Sequence, residues 1–123
     1  MAIDGLTIIG FDYQGMESGG PKDRGQAISD LHFYPDTPKI LLNHEPTEIE
    51  LAKSLGVSLE LSGHTHHGQV WPVSILTWMV YGKYHYGYQV EGDFSIYTSS
   101  GAGSWGPPVR TFNPVEITEI TLK

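Results

Sequence analysis

The side chains best suited to chemistry are histidines that follow two short apolar runs. His44 comes directly after the run at residues 39–43, and the sequence Gly-His-Thr-His-His-Gly at residues 63–68 follows soon after the run at 57–61. Neutral imidazoles bind zinc, manganese, iron and related divalent ions. The two histidine groups therefore indicate a metal site if the fold brings them together.

The elements between the two groups predict that they meet. Thr47 and Glu50 have the spacing of a helix capping box, and Gly56 is suited to the position just after a helix. A strand, a helix and a strand within about 25 residues are typical of a βαβ unit, whose two strands run parallel. Ligands bind beyond the carboxyl ends of such strands, so we expect both histidine groups at one crevice.

Side-chain direction predicts which histidines of the second group bind metal. In an extended loop, side chains two residues apart point the same way, so His64 and His66 would face His44 while His67 points away. The alternative, loop histidines without an ion, stays open. This alternative is less favoured for His64 and His66 than for His44, because they lie between glycines at a strand end. The candidate metal ligands are therefore His44, His64 and His66.

The remaining sequence predicts a single α/β domain over residues 1–123. Its glycine and proline content favours many turns and few long helices. Outside the βαβ unit the predicted elements are a strand at 6–11, a loop at 13–24, a short helix at 26–33, a hairpin with strands at 84–90 and 94–97, and a half-buried final strand at 115–122.

Composition excludes several classes of protein. The chain has 123 residues, a net charge of −7 and no cysteine, so it has no disulfides, thiolate zinc sites or cysteine nucleophiles. Its seven basic residues are scattered, which argues against nucleic-acid binding through a basic surface. The longest apolar stretch, at 75–81, is far short of the ~20 residues of a membrane span, and residues 1–5 do not resemble a signal peptide. We expect this chain to be soluble, and its compartment is not indicated.

Two motifs resemble those of a known family. Leu-Leu-Asn-His-Glu-Pro at 41–46 and Leu-Ser-Gly-His-Thr-His-His-Gly-Gln-Val at 61–70 resemble the last two motifs of the calcineurin-like metallophosphoesterases. The closer similarity is to a bacterial, phosphodiesterase-like branch that ends in a glycine-rich loop, a Pro-Val-Arg element and a terminal strand. Residues 100–110 and 114–122 resemble these last features.

The resemblance implies a hydrolase that cleaves phosphate mono- or diesters with two divalent metal ions. Manganese, zinc, iron, magnesium and nickel are not distinguished by the sequence. By resemblance, His44 and His64 bind one ion and His66 the other, while His67 stands where the branch usually has glycine. The fold implied is half of a metallophosphoesterase-type β-sandwich flanked by helices, with the βαβ unit followed by a hairpin and a terminal strand.

The family's three earlier motifs, with a bridging aspartate and a catalytic histidine, have no counterpart in this sequence. We therefore expect the chain to be the C-terminal portion of a longer protein, without catalytic residues of its own. Alone it should be nearly inactive and hold at most one ion weakly. An Asp-x-His sequence at 30–32 is rejected as the first motif, because no strand precedes it. By resemblance, membrane attachment or export would come only from a segment upstream of Met1.

His67 and Arg110 are candidate substrate contacts. For Arg110, the residues themselves favour a surface ion pair with Glu116 or Glu119. The Gly-x-Gly-x-x-Gly sequence at 101–106 is followed by two prolines, which exclude the helix of a dinucleotide site. This loop either borders the crevice or is an ordinary turn.

Two other functions stay open: a non-catalytic histidine-based metal-binding module, and a structural or assembly module. The apolar runs of parallel strands usually mean burial on both faces, so a half-sandwich should cover itself by forming a homodimer. Eight of the fourteen aromatic residues lie between residues 71 and 97. Packing in the hairpin and the core is the favoured interpretation, and a lipid- or partner-facing patch is the alternative.

Overall fold

The computed structural model describes residues 2–3, 5–11, 37–111 and 113–122, and these form a mixed α/β fold, as the sequence predicts. The strands are β1 (Ala2–Ile3), β2 (Leu6–Gly10), β3 (Lys39–Leu42), β4 (Leu59–Ser62), β5 (Gly87–Glu91) and β6 (Phe94–Thr98). The helices are α1 (Ile49–Ser54) and α2 (Val73–Tyr81), with short 3-10 helices at His66–Gly68 and Gly82–His85. The predictions for residues 13–24, 26–33 and 30–32 lie outside the described residues.

The six strands form one sheet in the order β1-β2-β3-β4-β6-β5. The four central strands run parallel, whereas β1 and β5 pair antiparallel at the two edges. The unit β3-α1-β4 is the predicted parallel βαβ unit, and β5-β6 is the predicted hairpin. Parallel pairing places the carboxyl ends of β3, β4 and β6 side by side, at the edge where ligands bind in such sheets.

The core lies on one face of this sheet, beneath α1. Every second residue of the central strands faces it, so that Leu41 and Ile96 are each 1% exposed, and Ala52 of α1 packs on them. The opposite face is less covered: Leu42 is 45% exposed at the end of β3. The expectation that these strands are buried on both faces is therefore not met in the described residues.

The limits of α1 differ from the prediction at its start only. Glu48, not Thr47, is the N-cap residue; it has φ 60° and its side chain makes no capping hydrogen bond. The reason is the turn after His44, in which the Thr47 N–H donates a hydrogen bond to the Glu45 carbonyl at 2.7 Å. The end of the helix is as predicted, because Gly56 has φ +67° and its N–H bonds the Lys53 carbonyl at 2.9 Å.

The predicted terminal strand was wrong. Residues 113–122 form no strand, and Ile117 is 90% exposed. Alternation of apolar and polar residues selects a face but supplies no neighbouring strand, and Glu116 instead bonds the Gly101 carbonyl through its N–H. The hairpin also begins later than predicted, at Gly87. Helix α2 was not predicted, because residues 73–81 are apolar on all sides and show no helical period.

Candidate metal centre

The ends of β3 and β4 bring the first two candidate ligands together. Beyond the strands, the Asn43 N–H bonds the Leu61 carbonyl and the Gly63 N–H bonds the His44 carbonyl, both at 3.1 Å. These bonds continue the parallel ladder to the loops that carry the histidines. His64 Nδ1 lies 3.1 Å from His44 Nε2, and the two ring centroids are 5.0 Å apart.

His66 faces the same cavity as His44 and His64, but its ring nitrogen is already engaged. The Arg110 guanidinium donates from its NH2 group to His66 Nδ1 at 3.1 Å. Arginine only donates hydrogen bonds, so a neutral His66 in this arrangement carries its own proton on Nε2. Binding a metal through Nε2 therefore requires that the bond to Arg110 be released.

The histidine loop is not extended. His64, His66, His67 and Gln69 have φ angles of 66°, 48°, 51° and 51°, a left-handed conformation that costs roughly 1–2 kcal/mol per residue. The predicted alternation of side chains in an extended loop was therefore the wrong reason for separating His67 from its neighbours. Such strain persists only where the surroundings impose it, and it concentrates at functional sites.

Two neighbours impose this conformation. The Thr65 hydroxyl accepts a hydrogen bond from the His67 N–H at 3.2 Å and donates one to the His85 carbonyl at 2.7 Å. At Gly68, a Cβ atom would lie only 2.2 Å from Cα and N of Ser74. Only glycine fits there, and the close approach fixes the start of α2 against the histidine loop.

His67 points away from His44, His64 and His66. Its ring stacks on Tyr86 with centroids 4.0 Å apart and an interplanar angle of 7°, and its carbonyl accepts a hydrogen bond from Asn113 at 2.6 Å. The structure brings together His44, His64 and His66, and it leaves His67 on the other side of the loop.

Arg110 secures the glycine-rich loop. Its NH2 group donates to the carbonyls of Ser100, at 2.8 Å, and of Gly103. The Glu116 carboxylate is occupied elsewhere, by the hydroxyls of Tyr86 and Tyr97 and the Ser100 N–H. Within the described residues no ion pair joins Arg110 to either predicted glutamate, so the favoured ion-pair interpretation was wrong.

Two side chains at the site were not identified from the sequence. Glu45 Oε1 lies 3.8 Å from His64 Nε2 and accepts a hydrogen bond from the Tyr81 hydroxyl at 2.5 Å. Glu45 directly follows His44, which was a usable signal. Tyr81 gave none, because it lies at the end of the unpredicted α2.

Two of the candidate ligands have a lowered pKa, which favours their neutral form. Desolvation lowers the pKa of His44, and the neighbouring His64 lowers it further. Desolvation, followed by Arg110, lowers the pKa of His66. Neutral imidazole is the form that binds metal. As arranged here, no group of three His, Cys, Asp or Glu side chains in the described ranges has the geometry to hold an ion.

The histidines form one wall of a cavity of about 580 Å³. The opposite wall comes from α2 and from Trp105 of the glycine-rich loop. Gln69 joins the walls, because its side chain donates to the Trp105 carbonyl at 2.7 Å and accepts from the Trp105 N–H at 2.6 Å. The glycine-rich loop therefore borders the crevice.

Curated relatives of the chain are named metallophosphoesterases. An uncharacterised metallophosphoesterase of Helicobacter pylori is 45% identical over 86 residues, which are 69% of this chain and 23% of that protein. The Campylobacter jejuni metallophosphoesterase Cj0846 is 37% identical over 121 residues, 94% of this chain and 32% of that protein. A Bos taurus transmembrane protein with metallophosphoesterase domain is 35% identical over 91 residues, 72% of this chain and 20% of that protein.

The chain spans about a third or less of the length of these relatives, which fits the predicted C-terminal portion of a longer protein. No family model and no solved structure matches it. Across the residues described, no helix has the length and apolarity to cross a membrane. On its similarity to these relatives and on the motifs around His44 and His64, the chain belongs to the calcineurin-like metallophosphoesterase family.

Proposed function

We propose that this chain supplies one wall of the active site of a metal-dependent phosphoesterase that hydrolyses phosphate mono- or diesters. The observation that carries the proposal is the 3.1 Å approach of His44 Nε2 and His64 Nδ1 at the ends of two parallel strands. His66 faces the same cavity. Imidazoles at the ligand-binding edge of an α/β sheet suit a divalent transition metal.

The roles of the side chains follow from their positions. His44 and His64 would hold one ion and His66 a second. Bound ions would supply Lewis-acid chemistry to the phosphoester and to an attacking water. Tyr81 orients the Glu45 carboxylate toward His64, as outer carboxylates orient ligating histidines. Arg110 is the candidate substrate contact, because its guanidinium group lies 3.1 Å from His66, which lines the cavity, and its Nε and NH1 groups have no hydrogen-bond partner among the described residues. The stacked position of His67 favours a structural role.

The chain alone would bind metal weakly and turn over little, because it offers imidazoles without a bridging carboxylate. Calorimetric titration with Mn²⁺ tests the ligands: we expect weak binding of one ion, abolished in His44→Ala and in His64→Ala. His85→Ala is the matched control, since His85 does not line the cavity. Unchanged affinity in the first two variants would contradict the proposed site.

An aryl phosphodiester assay in excess Mn²⁺ tests the division of labour between this chain and the rest of a longer protein. We expect turnover from the longer polypeptide, lost in its His64→Ala variant, and very little from the 123-residue chain. Turnover by the chain alone that disappears in His66→Ala would show that the chain is self-sufficient. Metal binding without turnover in any form would favour the non-catalytic metal-binding module.

A further inference from the structure

Gln69, at the end of the histidine loop, holds the glycine-rich loop at residues 100–110 through its side chain. The residue is 6% exposed and lines the cavity. Its Nε2 donates to the carbonyls of Trp105, at 2.7 Å, and Pro107, at 3.2 Å, while its Oε1 accepts from the Trp105 N–H at 2.6 Å. Both N–H groups of the amide are used within the protein, so Gln69 does not donate to a substrate although it lines the cavity.

The backbone of Gln69 holds the same loop just after its last residue. The Gln69 carbonyl accepts a hydrogen bond from the Thr111 N–H at 3.0 Å, and the Thr111 hydroxyl accepts one from the Trp71 N–H at 2.8 Å. Gln69 has φ 51° and ψ −51°, which is a costly conformation for a residue other than glycine. Such a conformation persists only where the surrounding contacts impose it, and here the side chain and the carbonyl of one residue both bond the loop.

Arg110 lies between the two points at which the loop is attached. Pro107 precedes it by three residues and Thr111 follows it directly, and both are bonded to Gln69. The Arg110 guanidinium in turn donates to His66 Nδ1 at 3.1 Å. A long arginine side chain loses much conformational freedom when it is held in one position. Fixing the backbone on both sides of Arg110 therefore lowers the cost of keeping its guanidinium beside His66.

We infer that Gln69 is a positioning residue, which acts through the glycine-rich loop to hold the Arg110 guanidinium beside His66 at the cavity. This inference rests on the proposed function, in which Arg110 is the candidate substrate contact. A guanidinium that is already in place binds an anion more tightly than one that must first be ordered. His44 and His64 are held by the hydrogen bonds that continue the β3–β4 ladder, so metal binding by this pair should not depend on the Gln69 side chain.

The order of the Arg110 side chain measures this positioning directly. The chain has two arginines, Arg24 and Arg110, so its heteronuclear NMR spectrum contains two arginine Nε–H signals, and Arg24→Lys identifies the signal of Arg110. The heteronuclear NOE of that signal reports motion on the picosecond to nanosecond timescale. In the metal-free chain we expect a value close to that of the backbone amides, and in Gln69→Leu a value at most half as large.

A second variant separates the side-chain bonds of Gln69 from its backbone conformation. Gln69→Gly removes the same hydrogen bonds, and glycine adopts the φ of 51° without strain, so this variant should fold and should also lose the order of Arg110. Gln89→Leu is the matched control, because Gln89 lies on β5 and does not line the cavity. The backbone amide spectrum shows that each protein is folded. An unchanged NOE in the folded Gln69 variants, or a mobile Arg110 side chain in the unaltered chain, would overturn the inference.

Two titrations distinguish positioning of Arg110 from general support of the fold. Inorganic phosphate is titrated into the metal-free chain and followed by the shift of the Arg110 Nε–H signal, and Mn²⁺ is titrated by calorimetry. In Gln69→Leu we expect phosphate to bind about tenfold more weakly and the affinity for Mn²⁺ to stay within about twofold. Unchanged phosphate affinity, or an equal fall in the affinity for Mn²⁺, would overturn the inference. No phosphate-induced shift of Arg110 in any protein would instead count against its role in the proposed function, and the NOE would still decide whether Gln69 positions it.

Discussion

Glu60 is a fully buried carboxyl group in β4, and its ionisation should weaken the fold. The residue is 0% exposed. Its Oε1 accepts hydrogen bonds from Asn43 Nδ2 at 3.1 Å and Ser62 Oγ at 3.0 Å, whereas Oε2 is buried without a partner in the described residues. Desolvation raises the pKa of Glu60 from 4.5 to about 7, although the two hydrogen bonds act to lower it.

The sign and size of the effect follow from this pKa. Because the folded protein holds the proton more tightly than the unfolded chain, the stabilisation is complete below pH 4.5 and is lost as the pH rises to about 7. At about 1.4 kcal/mol for each pKa unit, the difference amounts to about 3 kcal/mol. That is a large fraction of the ~5–15 kcal/mol by which a typical domain is stable.

Glu60→Gln tests this reasoning, because the amide resembles the protonated acid in shape and charge. Urea unfolding followed by circular dichroism at about pH 4 and about pH 8 gives the free energy of unfolding of each protein. From about pH 4 to about pH 8, the free energy of unfolding of Glu60→Gln should rise by about 3 kcal/mol relative to that of the unaltered chain. Glu119→Gln is the control, since Glu119 is exposed. Parallel pH dependence of Glu60→Gln and the unaltered chain would refute the buried-carboxyl account.

Two further predictions concern packing and assembly. Gly68→Ala should lower the free energy of unfolding by about 3 kcal/mol or more, because the added Cβ would meet Ser74 at 2.2 Å. Gly103→Ala is the control in the same urea experiment, since a Cβ at Gly103 would have no atom within 4 Å. Equal effects of the two substitutions would refute the argument. The exposed outer face of the sheet and its two edges should make the chain a two-fold homodimer, so light scattering over about a hundredfold dilution should show dissociation, whereas a monomer at every concentration would exclude it.

The sequence predicted the positions of the histidines for a physical reason. Apolar runs at 39–43 and 57–61, with an amphipathic segment between them, have few alternatives to a parallel βαβ unit. Once His44 and His64 follow the two strands, the ladder of hydrogen bonds places them side by side. Local pattern was sufficient because the geometry depends on strand direction, which the crossover fixes.

The parts that failed depend on contacts that no local pattern encodes. The positive φ angles of His64, His66 and His67 are imposed by the hydrogen bonds of Thr65 and by the close approach of Gly68 to α2, which are tertiary constraints. Residues 113–122 alternate like a strand, but they find no neighbouring strand among the described residues. Arg110 illustrates the same point: its carbonyl partners come from the loop around Gly103, and no charge pattern indicates them.

The bond between Arg110 and His66 couples the candidate ligand to the candidate substrate contact. While the guanidinium donates to Nδ1, neutral His66 keeps its proton on Nε2 and has no free lone pair for a metal. Moving that proton to Nδ1 frees Nε2 for metal, and the same step breaks the hydrogen bond from Arg110. The guanidinium group, still bonded to the carbonyls of Ser100 and Gly103, then lacks its imidazole partner and can donate to an anion in its place. Metal binding at His66 and anion binding by Arg110 should therefore favour each other, since each removes the competitor of the other.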